Sequence, residues 1–96
     1  MTELKKGSFC RSKAGHDVGT VYIVVDLNDS IKVADGKFKR LENPKVKNPK
    51  HLEKIDYEDK ALAEKFIAGG LNNEAIKYSI KKYLINANKG QEVINV

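Results

Sequence analysis

The sequence predicts an α+β chain, with about five short strands closing a small barrel ahead of two short helices. Three observations carry that expectation. Residues 1–54 hold several short β-branched runs separated by glycine, asparagine and aspartate. Residues 55–96 hold apolar side chains at helical spacing instead. The charge balance changes at the same place, so the chain divides into a barrel over 1–54 and a helical extension over 55–96 packed on it.

Gly7 to Ser12 is a first short strand, followed by the polar loop Lys13 to Val18 with glycines at Gly15 and Gly19. Thr20 to Val25 is the strongest strand signal, almost wholly β-branched or aromatic. Val21, Ile23 and Val25 share one face, while Thr20, Tyr22 and Val24 share the other. A strand apolar on both faces is central, or is covered on its outer side. Leu27 to Ser30 is a turn, and Ile31 to Ala34 a strand with Ile31 and Val33 inward. Asp35-Gly36 has the composition of a two-residue hairpin turn, with Lys37 to Leu41 returning as a strand. Pro44 and Pro49 keep Glu42 to Lys50 extended or at an edge, since proline cannot donate to a ladder. His51-Leu52 is a short closing strand. So many short strands with tight turns in so few residues fit a small SH3-like barrel.

Asp56 can cap a helix running to Lys65 or Phe66, with Leu62 and Phe66 four apart on one face. Gly69-Gly70 ends it. Asn72 or Asn73 then caps a second helix, with Leu71 and Ile76 placed as a hydrophobic staple. Ile76, Ile80, Tyr83, Leu84 and Ala87 form an apolar stripe that packs on the barrel or the first helix. Beyond Gly90 the tail is expected to loosen, although Val93, Ile94 and Val96 could add a strand.

Composition excludes several classes. The chain has 96 residues and one cysteine, Cys10, so an internal disulfide is impossible. His16 and His51 make no metal-ligand spacing with that thiol, and no cofactor is expected. There is no nucleophile motif, no Walker-type glycine loop and no carboxylate pair in an apolar setting, so the expectation is a non-enzyme. No run approaches the ~20 apolar residues of a membrane span. Met1 to Lys6 lacks a signal-peptide core, which points to the cytoplasm. A monomer is expected.

The net charge of +5 lies wholly in residues 1–54, which hold 12 Lys/Arg against 7 Asp/Glu; residues 55–96 balance at 6 against 6. An excess confined to one half favours a polyanion-binding surface. Two segments carry it. In the loop Arg11 to Gly19, glycines allow close backbone approach while Arg11, Lys13 and His16 offer cations to phosphates. A simple tight turn would use the same glycines. From Lys37 to Lys54, seven cations face two acids. There, Lys45 and Lys47 on an extended chain stiffened by proline could follow a phosphate track. A solvated edge strand with protective lysines would look alike. Phe38, His51 and Tyr22 are either core groups or base-stacking groups.

The run Ser12-Lys-Ala-Gly-His-Asp-Val-Gly-Thr-Val-Tyr-Ile-Val-Val25 resembles the KOW motif, a basic glycine loop joined to an aliphatic strand. With Val33 to Leu41 and Asn43 to Leu52, residues 5–54 resemble small bacterial KOW-domain RNA-binding proteins. These are similar to the large-subunit ribosomal protein numbered fourteen of archaea and eukaryotes. His16 and Val18 stand where that family commonly has basic residues, and residues 55–96 have no clear counterpart. The resemblance implies an SH3-like barrel, a structured and ribosomal RNA ligand, and neighbouring ribosomal proteins. The candidate RNA-binding residues are Arg11, Lys13, His16, Lys37, Lys39, Arg40, Lys45, Lys47 and Lys50. The rival expectation is a protein-interaction module of the transcription or translation machinery. An anionic membrane surface is a weaker one, given Lys77, Lys81 and Lys82 on the second helix.

Overall fold

The structure, a computed structural model, describes residues 3–95, with side chains described as far as residue 87. Strands β1 (Phe9–Ser12), β2 (Val21–Asp26), β3 (Ile31–Ala34), β4 (Lys45–Lys47) and β5 (Leu52–Lys54) form one antiparallel sheet in the order β4-β3-β2-β1-β5. Helices α1 (Lys60–Ala68) and α2 (Asn73–Asn95) follow. The α+β class is the expected one. The sheet is not closed by hydrogen bonds, since β4 and β5 are its two edges.

The sheet nevertheless curls. Only the 3-10 turn Pro49–His51 and Asn48 separate its edge strands in sequence. Lys47 to Leu52 can reach at most about 17 Å, and a 3-10 turn reaches less. Five strands laid flat would put the edges about 19 Å apart. A side chain spans the fold directly: Lys47 Nζ on β4 donates to Ser12 Oγ on β1 at 3.0 Å.

Strand β2 explains its own composition. It is the central strand, and both its faces are covered. Tyr22 and Val24 join Cys10, Val33 and Leu52 inside the curl. Val21 and Ile23 join Phe9, Ala34, Ile55, Leu62, Ile76 and Ile80 between the sheet and the helices. Phe9, Tyr57 and Tyr83 add an aromatic cluster there, with ring centroids 4.9–5.7 Å apart. Ile76, Ile80 and Tyr83 of the predicted stripe pack on this face, while Leu84 is 43% exposed and Ala87 is exposed.

Three local expectations are corrected. Lys37 to Leu41 is not a strand, because Asp35 Oδ1 accepts from the N–H groups of Lys37, Phe38 and Lys39 at 2.8–2.9 Å and folds them into a turn. The partner of β3 is β4 instead. Helix α1 begins three residues later than expected, because Asp59 rather than Asp56 accepts from the N–H groups of Ala61 and Leu62. It runs on to Ala68, where Gly69, at φ 94°, ends it. Helix α2 is capped by Asn72, whose Oδ1 accepts from Ala75 N–H at 2.8 Å, with Ile76 in the core and Leu71 partly buried against the same cluster, as a staple requires. It is not short. It passes Gly90 to Asn95, leaving no strand at Val93 and Ile94; Val96 lies outside the described residues. One interior glycine weakens a helix by about 1 kcal/mol without ending it.

Candidate nucleic-acid interface

The glycine loop between β1 and β2 has an acid at its centre. Asp17 Oδ1 accepts from Ser12 Oγ at 2.8 Å and from Lys47 Nζ at 3.2 Å. Its Oδ2 accepts from the Tyr22 hydroxyl at 2.7 Å and pairs with Lys45 Nζ at 3.2 Å. Burial opposes ionisation here, but hydrogen bonds from Tyr22, Ser12, Lys45 and Lys47 outweigh it and hold this carboxyl well below the usual carboxylate range. The same contacts act on Tyr22, where burial first, then the Asp17 hydrogen bond, push the phenol up. Lys47 further donates to the Ala14 carbonyl at 3.2 Å. Every polar atom around this buried lysine therefore has a partner, as a buried charge requires.

This geometry corrects the reading of Lys45 and Lys47 as a phosphate track. The Lys47 side chain is 7% exposed and points into the curl; Lys45 is half-buried against the same acid. Nor is Lys45 to Lys50 one extended run. Asn48 accepts from Lys50 N–H at 2.9 Å, and His51 N–H donates to the Asn48 carbonyl at 2.8 Å, which bends the chain after β4.

The other candidates fall into two groups. At the loop end of the sheet, Lys13 and His16 are exposed, and Lys13 N–H donates to the His51 carbonyl at 2.8 Å. That bond brings Lys13 beside the turn that carries Lys50 and His51, both exposed. On the far turn, Lys37 is exposed and Lys39 half-buried, and Arg40 pairs with Glu42 at 3.0 Å. Hydrogen bonds from Asn73 and Arg40 hold the Glu42 carboxyl down, at about 2. Arg11 belongs to neither group. It lies on the helix side of the sheet, donating to the Tyr83 hydroxyl at 3.2 Å with Glu53 3.9 Å away. Lys13, Lys37, Lys39 and Lys50 make no ion pair among the described residues.

Of the three aromatic candidates, Tyr22 is core at 2% exposure, while Phe38 is 78% exposed and His51 is exposed. Lys37 Nζ sits 5.0 Å from the Phe38 ring centroid. Sequence reasoning left Lys77 and Lys81 of α2 out of the site, yet both line a groove with Lys37. Their four-residue spacing marks a common face, but nothing local shows that the Lys37 turn docks beside it. Among the described residues no cluster of histidine, cysteine, aspartate and glutamate could hold a metal ion, and no helix is long and apolar enough to cross a membrane. The chain matches no family model and no curated protein sequence.

Proposed function

We propose that this chain is a non-enzymatic, cytoplasmic RNA-binding protein that holds structured RNA, ribosomal RNA first among the candidates, through phosphate contacts. Its curled sheet is read as a KOW-type, SH3-like barrel. The strand order, the edge strands joined by one short turn, and the Lys47 to Ser12 link across the curl support that reading. The observation that carries the function is the set Lys13, Lys37, Lys39 and Lys50. These cations of the basic half project from loops and turns without an acid partner among the described residues, on a framework held rigid by Asp17. Cations on a fixed framework bind phosphates with little ordering cost, and such binding releases counterions. Filter binding to ribosomal RNA between about 50 and 200 mM salt tests it. Affinity is expected to fall steeply over that range; a flat response would sink the phosphate reading.

The protein-interaction reading rests on the exposed apolar side chains Val46 on edge strand β4, 57% exposed, and Ile67 on α1, 88% exposed. Co-sedimentation with ribosomes separates the two. RNA binding gives association sensitive to salt and nuclease, and a protein contact at apolar groups gives association that resists both.

A further inference from the structure

Residues 55–96 carry no excess charge in sequence, yet the fold sets two lysines of α2 against the basic half. A groove of about 380 Å³ lies where the Asp35–Lys37 turn meets α2, lined by Lys37, Lys77 and Lys81 over Ile80 and Leu84. The turn is fixed there by three features. A Cβ added at Gly36 would overlap the Asn73 carbonyl oxygen and come 3.0 Å from the Lys77 nitrogen, so the glycine backbone rests on the first turn of α2. Leu41 N–H donates to Asn73 Oδ1 at 2.8 Å, and Asn73 Nδ2 donates to Glu42 Oε1 at 2.6 Å.

The acids near the groove leave it cationic. Asp35 lines it, but its Oδ1 is committed to the three N–H groups of its own turn. Glu74 pairs with Lys77 at 3.3 Å, and the two side chains are 77% and 46% exposed. An exposed pair of this kind is held weakly and exchanges readily for a phosphate. The floor is apolar, with Ile80 8% and Leu84 43% exposed. Phe38 does not line the groove, but its uncovered ring lies 5.0 Å from the Nζ of Lys37, which does. Lysines, an apolar floor and a free ring together match a strand whose bases are unpaired, because stacking on a side chain needs a base face that a duplex hides.

We propose that this groove takes a single-stranded stretch of RNA, with phosphates on Lys37, Lys77 and Lys81 and an unstacked base on Phe38. The proposal rests on the RNA-binding reading and adds that α2 is half of the site and that the strand is single.

Fluorescence anisotropy on the full chain tests it, with a labelled mixed-sequence single-stranded RNA, the matching duplex, and an acidic peptide of equal charge. The wild type is expected to prefer the single strand. Lys77→Gln with Lys81→Gln should lower the slope of log affinity against log salt by about 1.4 for the single strand. Phe38→Ala should weaken the single strand roughly tenfold and leave the duplex unchanged. These side chains are exposed, so a thermal melt matching the wild type confirms that the fold is intact. If the wild type binds RNA and the variants bind it equally well, the groove is overturned while RNA binding stands. If the wild type binds no RNA, both readings fall. An acidic peptide bound as tightly as the RNA also overturns the groove assignment.

Discussion

Two sets of lysines in this molecule have opposite fates. Lys45 and Lys47 lie in the most obviously basic run of the sequence, yet both turn onto Asp17, and Lys47 is buried as a cross-brace from β4 to β1. Lys77 and Lys81 lie in the electrically neutral half, yet they line a groove with Lys37. Local density of positive charge therefore did not decide which cations line the groove. The position of one acid did, together with the docking of one turn on a helix.

The largest expected effect comes from breaking the brace. Asp17→Ala leaves Lys47 in the curl without its carboxylate and removes the acceptor of Tyr22 and Ser12. A loss of ~3 kcal/mol in urea unfolding is expected, the low end for breaking a buried pair, because Lys47 keeps Ser12 and Ala14. Lys47→Met sharpens the contrast: it should lower stability and leave RNA affinity unchanged once folded, whereas the α2 lysine changes do the reverse.

Gly36→Ala comes next. Its φ of 79° is left-handed, which alone costs a residue with a Cβ ~1–2 kcal/mol, and the added carbon also meets Asn73. The expected outcome is a lower melting temperature together with weaker binding of single-stranded RNA, since the groove loses one wall.

Acid tests the brace more gently. The Asp17 carboxyl is depressed in the folded state. Its contribution is therefore complete above the unfolded value near 3.9 and is lost as pH falls below it towards the lower folded value. The urea midpoint should fall between pH 5 and pH 2.5, and that fall should shrink in Asp17→Asn. Asp59 is also depressed: burial opposes its ionisation, but hydrogen bonds from Ser79 and Lys82 prevail. Some acid sensitivity thus survives in the variant. The smallest effect is expected from Lys13→Gln with Lys50→Gln, which should weaken RNA binding and lower the salt slope with no change in the melt.

Much of the fold was legible because it depends on local pattern. The two-faced strand Val21 to Asp26, the Gly69 stop and the Asn72 cap with its Leu71–Ile76 staple follow from side-chain periodicity and capping chemistry. What was hidden depends on contacts distant in sequence. Asp56 reads as the cap of the first helix from sequence, whereas Ser79 and Lys82 of α2 meet Asp59, the residue that caps it. Asp35-Gly36 reads as a hairpin until its carboxylate is seen to cap three N–H groups, with Gly36 pressed on α2. Likewise the loop of Lys13 to Gly19 gives the resemblance that suggests RNA, but Asp17 within it neutralises the neighbouring strand.

Ultraviolet crosslinking of the full chain to single-stranded RNA, with the crosslinked residues located by mass spectrometry, tests the contrast most directly. Crosslinks are expected on Phe38 and on the α2 peptide containing Lys77 and Lys81. Crosslinks confined to residues 44–50, with none on Phe38 or α2, would contradict it.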